Sequence, residues 1–451
     1  MKSTRLVGIE DLFHDVSKEW FERSNDSYLS NRHSGIFSQA LTIYLMVCQR
    51  AFGLSLQGSI IEMLSGGKSG IFAKRNSKSK KLSFGTVSKN SGGLSRAQDR
   101  IKPTEIVELA SHCINKITKN TQSPGKIYLI DGTCMTTSYS KENEARYPRH
   151  SFRKDKCVHF PRLRAITAHN LANGLALEPK LGSITDSEQK LTWDFLADLP
   201  TESTVIGDRN FGVFSIAYRS HCLGHKVLFR LNEAIYKRVF GKVSAKDRDS
   251  TLTWSPSKYD LKTTADIPKE SSLQGRFIQI RAHKKGHRPE VLFFFTTLDL
   301  PVAQIAELYK QRQRIETHIR QLKQFLKMEF IAAKTPERIQ KEISIAFLTF
   351  NLISAIMLTA AKHNKVPFER ISFTAAQRII NAYGDQLQIA ETREQRDKII
   401  KSMFAAFDQT KIPLRTKSRS YPRTLKRKPN KYPVQAQIDR PDNQILEDDG
   451  K

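Results

Sequence analysis

Two short apolar runs that each close on an aspartate constrain the fold of this chain more than any other feature. KIYLIDG (126–132) closes on Asp131, and STVIGDRNFG (203–212) carries Asp208 directly after its apolar part. Between them, LRAITAHNLANGLALEPKL (163–181) alternates around an Ala-Asn-Gly turn, which predicts a hairpin, and a helix is expected at about 187–198. Strands mixed with helices in this way predict an α/β core. Because α/β sheets bind ligands at the carboxyl ends of their strands, we expect both aspartates to end their strands at such an edge.

A third acid, Glu316, lies on a helix that is predicted to begin at Pro301 and to run on without a break. At ~100° per residue, one narrow stripe beside the apolar stripe of this helix contains Tyr309, Arg312, Glu316 and Lys323. Each acid alone has an ordinary explanation, because an aspartate after a strand is commonly a turn residue and a glutamate among cations commonly belongs to a solvated face. Together, the three acids predict a site in which two Mg²⁺ ions, held by carboxylate oxygens, promote phosphodiester cleavage.

The charge of the chain indicates a polyanionic partner. The sequence has 74 Lys and Arg against 45 Asp and Glu, a formal net charge of +29. Nucleic acid neutralises such a charge; an anionic membrane surface is the alternative, but it calls for an amphipathic or lipidated anchor that neither end of the sequence offers. The five cysteines include no Cys-x-x-Cys pair, which argues against a disulfide framework and a zinc finger. The first residues lack the apolar run of a signal peptide, so a cytoplasmic protein is expected.

One stretch, Ile343 to Ala361, carries no charge over 19 residues and so reaches membrane-spanning length. Its Asn351 and its several Ser and Thr, with no second span in the sequence, favour a buried core helix over a membrane span. We therefore expect no membrane partner.

Two strongly basic segments flank the predicted core. Residues 65–102 hold ten Lys or Arg against one acid, and residues 411–438 hold nine with no acid. Each segment is either solvated or a phosphate-binding arm. The sequence predicts a helical N-terminal DNA-binding domain with a basic arm (1–120), the first part of the core (121–232), a β-rich insertion without a clear helix (233–298), the helix completing the core (299–332), a helical region that is a candidate for dimerisation (333–410) and a basic tail (411–451).

These residues resemble those of the bacterial cut-and-paste DDE transposases of insertion sequences, in the large family named for a Tyr-Arg-Glu-Lys signature. That signature, with gaps of two, three and six residues, stands intact here as Tyr309, Arg312, Glu316 and Lys323. LIDGT and IGDRNF resemble the strands of the first two acids, and NSGGLSRAQDRI (90–101) and RSYPRTLKRKPNKYP (419–433) resemble further family segments. Two departures are Gln313, where the family often has Trp, and Asn210, where it often has Gly.

The resemblance implies a ribonuclease H-like catalytic core with a mostly β insertion. It implies that Asp131, Asp208 and Glu316 bind two Mg²⁺ ions, with Mn²⁺ as an expected substitute and Asp131 shared by both ions. It further implies that the backbone phosphates of the DNA end are held by Tyr309, Arg312 and Lys323. Relatives act as dimers on double-stranded transposon ends and target DNA, through a hairpin intermediate. Trp254 is either an aromatic that stacks on a flipped base or an ordinary strand tryptophan.

Two other functions stay open at this point. A ribonuclease H-like nuclease without strand transfer would need the three acids but not the phosphate-holding Tyr, Arg and Lys. A domesticated DNA-binding protein would keep the basic surface and would commonly have lost an acid. The intact signature counts against the nuclease, and the presence of all three acids counts against the domesticated protein, so a DNA transposase is favoured.

Overall fold

The described part of this computed structural model comprises residues 8–23, 36–65, 90–121, 125–149, 151–153, 156–264, 266–282 and 290–414. The described residues up to Pro413 belong to one compact unit, and Leu414 begins a second unit that extends to Lys451. Most of the basic segment at 65–102 and all of the tail beyond Leu414 lie outside the described residues.

Helices occupy the described chain before the first strand, as the spacing of its apolar residues predicts. They are α1 (Ile9–Arg23), α2 (Gln39–Phe52), α3 (Leu56–Leu64), α4 (Gly92–Arg100) and α5 (Pro103–Thr121). The bounds of α2 follow from local chemistry. The Ser38 hydroxyl accepts a hydrogen bond from the backbone N of Leu41 at 3.3 Å, and Gly53 ends the helix with a φ of 69°, a conformation that favours glycine. The apolar faces of these helices pack against a long helix at 336–363 to form one hydrophobic core.

A mixed sheet lies at the centre of the chain, and this confirms the α/β prediction. Its described strands are β1 (Ile127–Thr137), β4 (Arg162–Asn170), β5 (Lys180–Ser183), β6 (Thr204–Gly207), β7 (Lys226–Arg230), β8 (Arg248–Trp254), β9 (Leu273–Ala282), β10 (Glu290–Thr296) and β11 (Phe330–Ile331). The strand order is β5-β4-β1-β6-β7-β10-β9-β8, with β11 beside β1. β4 is antiparallel to β1 and β5, whereas β6 is parallel to β1 and β7. The predicted hairpin is thus confirmed as β4 and β5, and a separate two-stranded ribbon consists of β2 (Ser151–Arg153) and β3 (Lys156–Cys157).

Helices cover both faces of this sheet, which explains its continuous apolar strands. On one face, strand residues such as Ile130 and Val205 pack with Phe195 and Phe214. The other face carries Leu129 and Ile206 beneath Ile305 and Ile315. The helices α6 (Lys141–Arg146), α7 (Glu188–Phe195) and α8 (Phe214–Cys222) lie between the strands in sequence, and α7 with the 3₁₀ turn Leu196–Asp198 confirms the helix expected at 187–198.

The segment predicted as a β-rich insertion extends the central sheet, since β10 pairs with β7 and carries β9 and β8 outward. The expectation that this segment has no clear helix is wrong. It contains α9 (Glu233–Phe240) and α10 (Lys258–Thr263). Both are short helices fixed by local and tertiary contacts. Ser257 and Asp260 form a reciprocal capping box at α10, and Tyr236 of α9 packs on Phe293 with ring centroids 4.4 Å apart.

Trp254 is a core residue at the end of β8. Its side chain is 1% exposed and makes edge-to-face contacts with Phe214, Phe277 and Phe295 at centroid distances of 5.7, 5.6 and 4.8 Å. A nucleobase cannot stack on this ring without displacing these three neighbours. The position therefore agrees with the strand-tryptophan alternative.

The uncharged stretch forms the middle of the long C-terminal helix, which confirms the buried core helix. The helices of this region are α13 (Pro336–His363), α14 (Phe373–Ile389) and α15 (Arg393–Gln409). The most apolar part of α13 is long enough to cross a membrane, but 89% of it is buried inside the protein. The fully buried Asn351 exchanges two hydrogen bonds of 2.8 Å with the backbone N and O of Ala176, so the polar group in this helix is satisfied inside the core.

The carboxyl of Glu178, which accepts a hydrogen bond from Ser344 of α13, gives a pH-dependent prediction. Burial raises the pKa of Glu178 to about 7 from the ordinary 4.5, although a hydrogen bond from Ser344 opposes the rise. The folded chain therefore keeps a proton that the unfolded chain releases, and the stabilisation from this proton is complete below pH 4.5 and lost as the pH rises through 7. We expect Glu178→Gln to raise the free energy of unfolding by about 2 kcal/mol at pH 8 and to change it little at pH 5.

Thermal melting of the full chain at both pH values measures this effect. Glu233→Gln, at a helix start with a side chain that is 57% exposed, is the matched control and should show no pH-dependent difference. An equal change for Glu178→Gln at both pH values would contradict the expectation.

Candidate active site

Asp131 of β1 and Asp208, which directly follows β6, lie just beyond the paired part of these two neighbouring parallel strands. The last pair of these strands joins Leu129 to Ile206, and each aspartate lies two residues farther along. The prediction that Asp131 ends its strand is wrong, because β1 continues to Thr137 along its other neighbour, β4. On the side of β6, however, β1 has no partner at Asp131. The two aspartates therefore stand together where β6 ends, as the sequence predicts for the edge of the sheet.

Arg312 joins the first aspartate to the third predicted acid. Its guanidinium lies 3.6 Å from Asp131 Oδ2 and donates a hydrogen bond of 2.7 Å to Glu316 Oε1. The Arg312 side chain is only 15% exposed, whereas that of Glu316 is 58% exposed. An arginine that is mostly shielded from water thus contacts two carboxylates at once, a geometry that suits its planar fork of donors.

The helix that carries this arginine is broken, contrary to the prediction of one continuous helix. It divides into α11 (Val302–Lys310), α12 (Gln313–Arg320) and a π-helical turn at Gln321–Phe325. Between α11 and α12 the backbone hydrogen bonds join residues three positions apart, as in a 3₁₀ helix. Arg312 N donates to Tyr309 O at 3.0 Å, and Ile315 N donates to Arg312 O at 3.1 Å. The wider π turn follows, so the predicted stripe is assembled from three segments with different windings.

The other two residues of the stripe also face this edge. Tyr309 packs edge-on against Phe294 with centroids 4.7 Å apart, and burial raises the pKa of its hydroxyl to about 12. Burial lowers the pKa of Lys323, while the negative charges of Glu329 and Asp131 oppose that change. Both side chains therefore lie partly inside the protein near the acids, where their polar atoms are less hydrated than on an open surface.

The negative charges of the neighbouring acids repel one another. The pKa of Asp131 is raised to about 6, first by burial and then by the charges of Asp208 and Glu188, while Arg312 and the 2.8 Å backbone bond from Gly132 oppose the rise. Two carboxylates that face each other in a partly buried edge repel until a cation lies between them.

A fourth acid, Glu188, completes the edge and was missed by the sequence reasoning. It lies in the first turn of α7, above Gly132, where an added side-chain carbon would stand 2.8 Å from its carboxyl carbon. Asn210 donates a hydrogen bond to Glu188, and Arg164 approaches it to 3.6 Å. Only the glycine directly after Asp131 hints at this approach in the sequence, because a missing side chain leaves room for a close neighbour.

The family comparison covers this whole edge. Residues 122–352 match the model described as "Transposase DDE domain". The chain belongs to the transposase DDE-domain family. The matched region begins just before β1, contains the four acids and ends within α13. This family makes the chain a transposase, an enzyme that acts on DNA.

Two further proteins are similar to this transposase. One is "Transposase InsG for insertion sequence element IS4" of Escherichia coli (strain K12), 21% identical over 315 residues, which are 68% of each chain. The other is the piggyBac transposase in a cryo-EM structure of its synaptic complex with hairpin DNA. It has 10% identity and a TM-score of 0.44, and the likeness covers 88% of this chain and 84% of that one.

The carboxylate groups at the end of β6 are suitable ligands for a hard divalent cation. Asp131 and Asp208 offer carboxylate oxygens, the ligands that Mg²⁺ prefers, and the charge of Asp208 destabilises the ionised form of Asp131 in the way that a cation would relieve. Within the described residues no three His, Cys, Asp or Glu side chains already surround a common point. Glu316 is instead bonded to Arg312.

Proposed function

We propose that this transposase cleaves the ends of a mobile DNA element and joins them to target DNA, with Asp131, Asp208 and Glu316 as its metal-binding residues. The observation that supports the proposal is the arrangement of acidic side chains where β6 ends. Two aspartates just beyond the paired part of neighbouring parallel strands face a glutamate through one shielded arginine. A nuclease or a transposase can use such acids, but the arginine between them also suits a phosphate.

The three acids would hold two Mg²⁺ ions, or Mn²⁺ in their place. Bound there, the ions would neutralise charge on the scissile phosphate and acidify the attacking water or 3′-hydroxyl. The chain itself supplies the oxygen ligands and orients them. Asp131 accepts its backbone bond from Gly132 and Asp208 accepts one from Asn210, both at 2.8 Å, so the backbone fixes one oxygen of each carboxylate, and the second oxygen of Asp131 lies 3.6 Å from Arg312.

Arg312, Lys323 and Tyr309 would hold backbone phosphates of the DNA end. With phosphate and cations bound, Arg312 would contact phosphate oxygens in place of Glu316, and Glu316 would be free to serve as a cation ligand. This exchange keeps every charged group paired before and after binding. The intact spacing of these residues supports membership of the Tyr-Arg-Glu-Lys signature family, which remains our proposal, as does the hairpin intermediate.

The sheet topology supports a ribonuclease H-like core. Its first three strands, β1, β4 and β5, form an antiparallel meander, and β6 and β7 extend it in parallel on the other side of β1. The domain limits predicted from the sequence are kept as part of this proposal. The Escherichia coli relative, named a transposase of an insertion sequence element, supports the same assignment.

Double-stranded DNA is the partner that we propose, with both transposon ends and target DNA as substrates. A net charge of +29 requires a polyanion, and the basic segments at 65–102 and 411–438 supply candidate phosphate contacts. We also propose that a homodimer forms on DNA and that the protein works in the cytoplasm.

A strand-transfer assay tests the proposal. The full chain is incubated with Mg²⁺, a labelled duplex that ends in the inverted repeat flanking the gene, and a supercoiled target plasmid. We expect nicked ends, then hairpins, then labelled plasmid. Nicking without any labelled plasmid would point to a nuclease, and a gel shift without nicking would point to a DNA-binding protein; either result overturns the proposal.

A further inference from the structure

Glu188 reaches the acidic edge from the face of the sheet opposite to Glu316. Leu129, two residues before Asp131, packs on the side of α11 and α12, whereas Ile130 packs on the side of α7 and α8. Because successive side chains of a strand alternate, Asp131 faces α12 and the position of Gly132 faces α7. Glu188 fills the space above that glycine.

The carboxylate of Glu188 already has a partner for each oxygen. Its Oε1 lies 3.6 Å from Arg164 Nε, and its Oε2 accepts a hydrogen bond from the side-chain amide of Asn210. The neighbouring Gln189 donates a second bond, 3.1 Å long, to the backbone O of Asn210. The first turn of α7 thus forms hydrogen bonds with both the side chain and the backbone of Asn210.

Asn210 in turn fixes the second aspartate. Its backbone N donates to Asp208 Oδ1 at 2.8 Å, within a turn that Phe211 closes by donating to the Asp208 carbonyl at 3.1 Å. A hydrogen-bonded chain therefore runs from Glu188 through Asn210 to the carboxylate of Asp208. Groups that orient the ligands of a metal are commonly worth a factor of ~10–100 in metal affinity.

We propose that Glu188 is a positioning residue for Asp208, acting through Asn210 to hold that carboxylate in its cation-binding orientation. The inference rests on the proposed function, since it assumes that Asp208 is a cation ligand. It does not make Glu188 a ligand, because its carboxylate lies over Gly132, on the face of the sheet opposite to Asp131 and Glu316. What Asn210 needs from residue 188 is a hydrogen-bond acceptor at the right distance, and a negative charge is not required.

This requirement separates two substitutions. Glu188→Gln keeps an oxygen that can accept from Asn210, whereas Glu188→Ala removes it. We expect Mn²⁺ affinity to fall ~10-fold or more in Glu188→Ala and in Asn210→Ala, and to stay within about threefold of wild type in Glu188→Gln. Because the two residues act in one chain, the double variant should be no weaker than either alanine variant alone.

The measurement is Mn²⁺ titration of the full chain, followed by electron paramagnetic resonance, with thermal melting in the absence of cation to check folding. Glu233→Ala, which removes an exposed acid from the first turn of α9, is the matched control and should leave the affinity unchanged. Asp208→Asn is measured in parallel and should lose most of the binding.

The results distinguish the proposed metal site from the positioning role of Glu188. Unchanged Mn²⁺ affinity in Asp208→Asn would overturn the proposed metal site itself. Loss in Asp208→Asn with wild-type affinity in Glu188→Ala would overturn only the positioning role. Equal loss in Glu188→Gln and Glu188→Ala, or additive losses in the double variant, would likewise remove the hydrogen-bonded chain as the cause.

Discussion

Asp131→Asn, Asp208→Asn and Glu316→Gln are each expected to abolish cleavage of a transposon end while the protein still binds it. Each change replaces one carboxylate oxygen by an amide nitrogen, so a ligand to the catalytic cations is lost and the basic surface is untouched. A bound cation contributes several kcal/mol of transition-state stabilisation, so the first nick should slow by a factor of at least ~10³. The measurements are a nicking time course with Mg²⁺ and a gel shift with the same labelled end.

The structure supplies a folding control for these variants. Burial disfavours the charged form of Asp131, so removing that charge should not lower the melting temperature at pH 8. Glu316→Gln keeps an oxygen for Arg312 and leaves an exposed position exposed. Lost nicking with intact melting and intact DNA binding is therefore the expected combination. Wild-type nicking in any one variant would remove that residue from the metal-binding set.

The sequence predicts the position of the two aspartates better than it predicts their strands. An apolar run that closes on an acid indicates where two strands present acids together, and Asp131 and Asp208 each lie two residues beyond the last paired residues of β1 and β6. It does not indicate that β1 continues for six more residues, to Thr137. That continuation depends on pairing with β4, whose hydrogen bonds are contributed by another part of the chain.

The break in the helix that carries Glu316 could not be predicted from the sequence. No Gly or Pro lies between Val302 and Phe325, and apolar spacing alone predicts one regular helix. The break and the π turn arise from packing. Ile305 and Ile315 are both buried against the same face of the sheet, while Leu322 and Leu326 join the core of the N- and C-terminal helices. One straight helix would present all four side chains along a single apolar stripe, which could not pack into both cores.

Glu188 escaped prediction for a related reason. Its helix was expected, but a start at residue 188 says nothing about which strand lies beneath it. Only the fold brings α7 over Gly132 and beside the turn that holds Asp208. Local patterns thus located the acids that follow strands, whereas contacts between distant segments decide which other groups approach them.

Arg312→Ala and Lys323→Ala are expected to impair hairpin formation and strand joining more than the first nick. The first nick needs the phosphate near the cations once, but the later steps need the cut end to be kept in place after its bond is broken. Charge-assisted hydrogen bonds are worth about 1.5–3 kcal/mol, so the later steps should slow by ~10–100-fold.

Arg312→Lys should behave more like Arg312→Ala than like wild type. In the free protein the arginine contacts Asp131 at 3.6 Å and Glu316 at 2.7 Å with different nitrogens of one planar group. Lysine offers one compact charge, which cannot keep both acids neutralised or hold two phosphate oxygens. Alanine would leave the shielded Asp131 carboxylate without its cation, so the repulsion from Asp208 would no longer be offset, and lysine could pair with only one of the two acids.

A time course on a labelled, pre-nicked end, set beside the intact duplex, separates the later steps from the first. Arg314→Ala is the matched control, since Arg314 lies two residues away but pairs with Glu369 and donates to the carbonyl of Leu171, away from the acids. That variant should keep the wild-type ratio of joined to nicked product. If Arg312→Ala and Lys323→Ala slow the pre-nicked and intact substrates by the same factor, these side chains serve general binding or folding, because a residue dedicated to holding the cut end must matter more after the cut than before it.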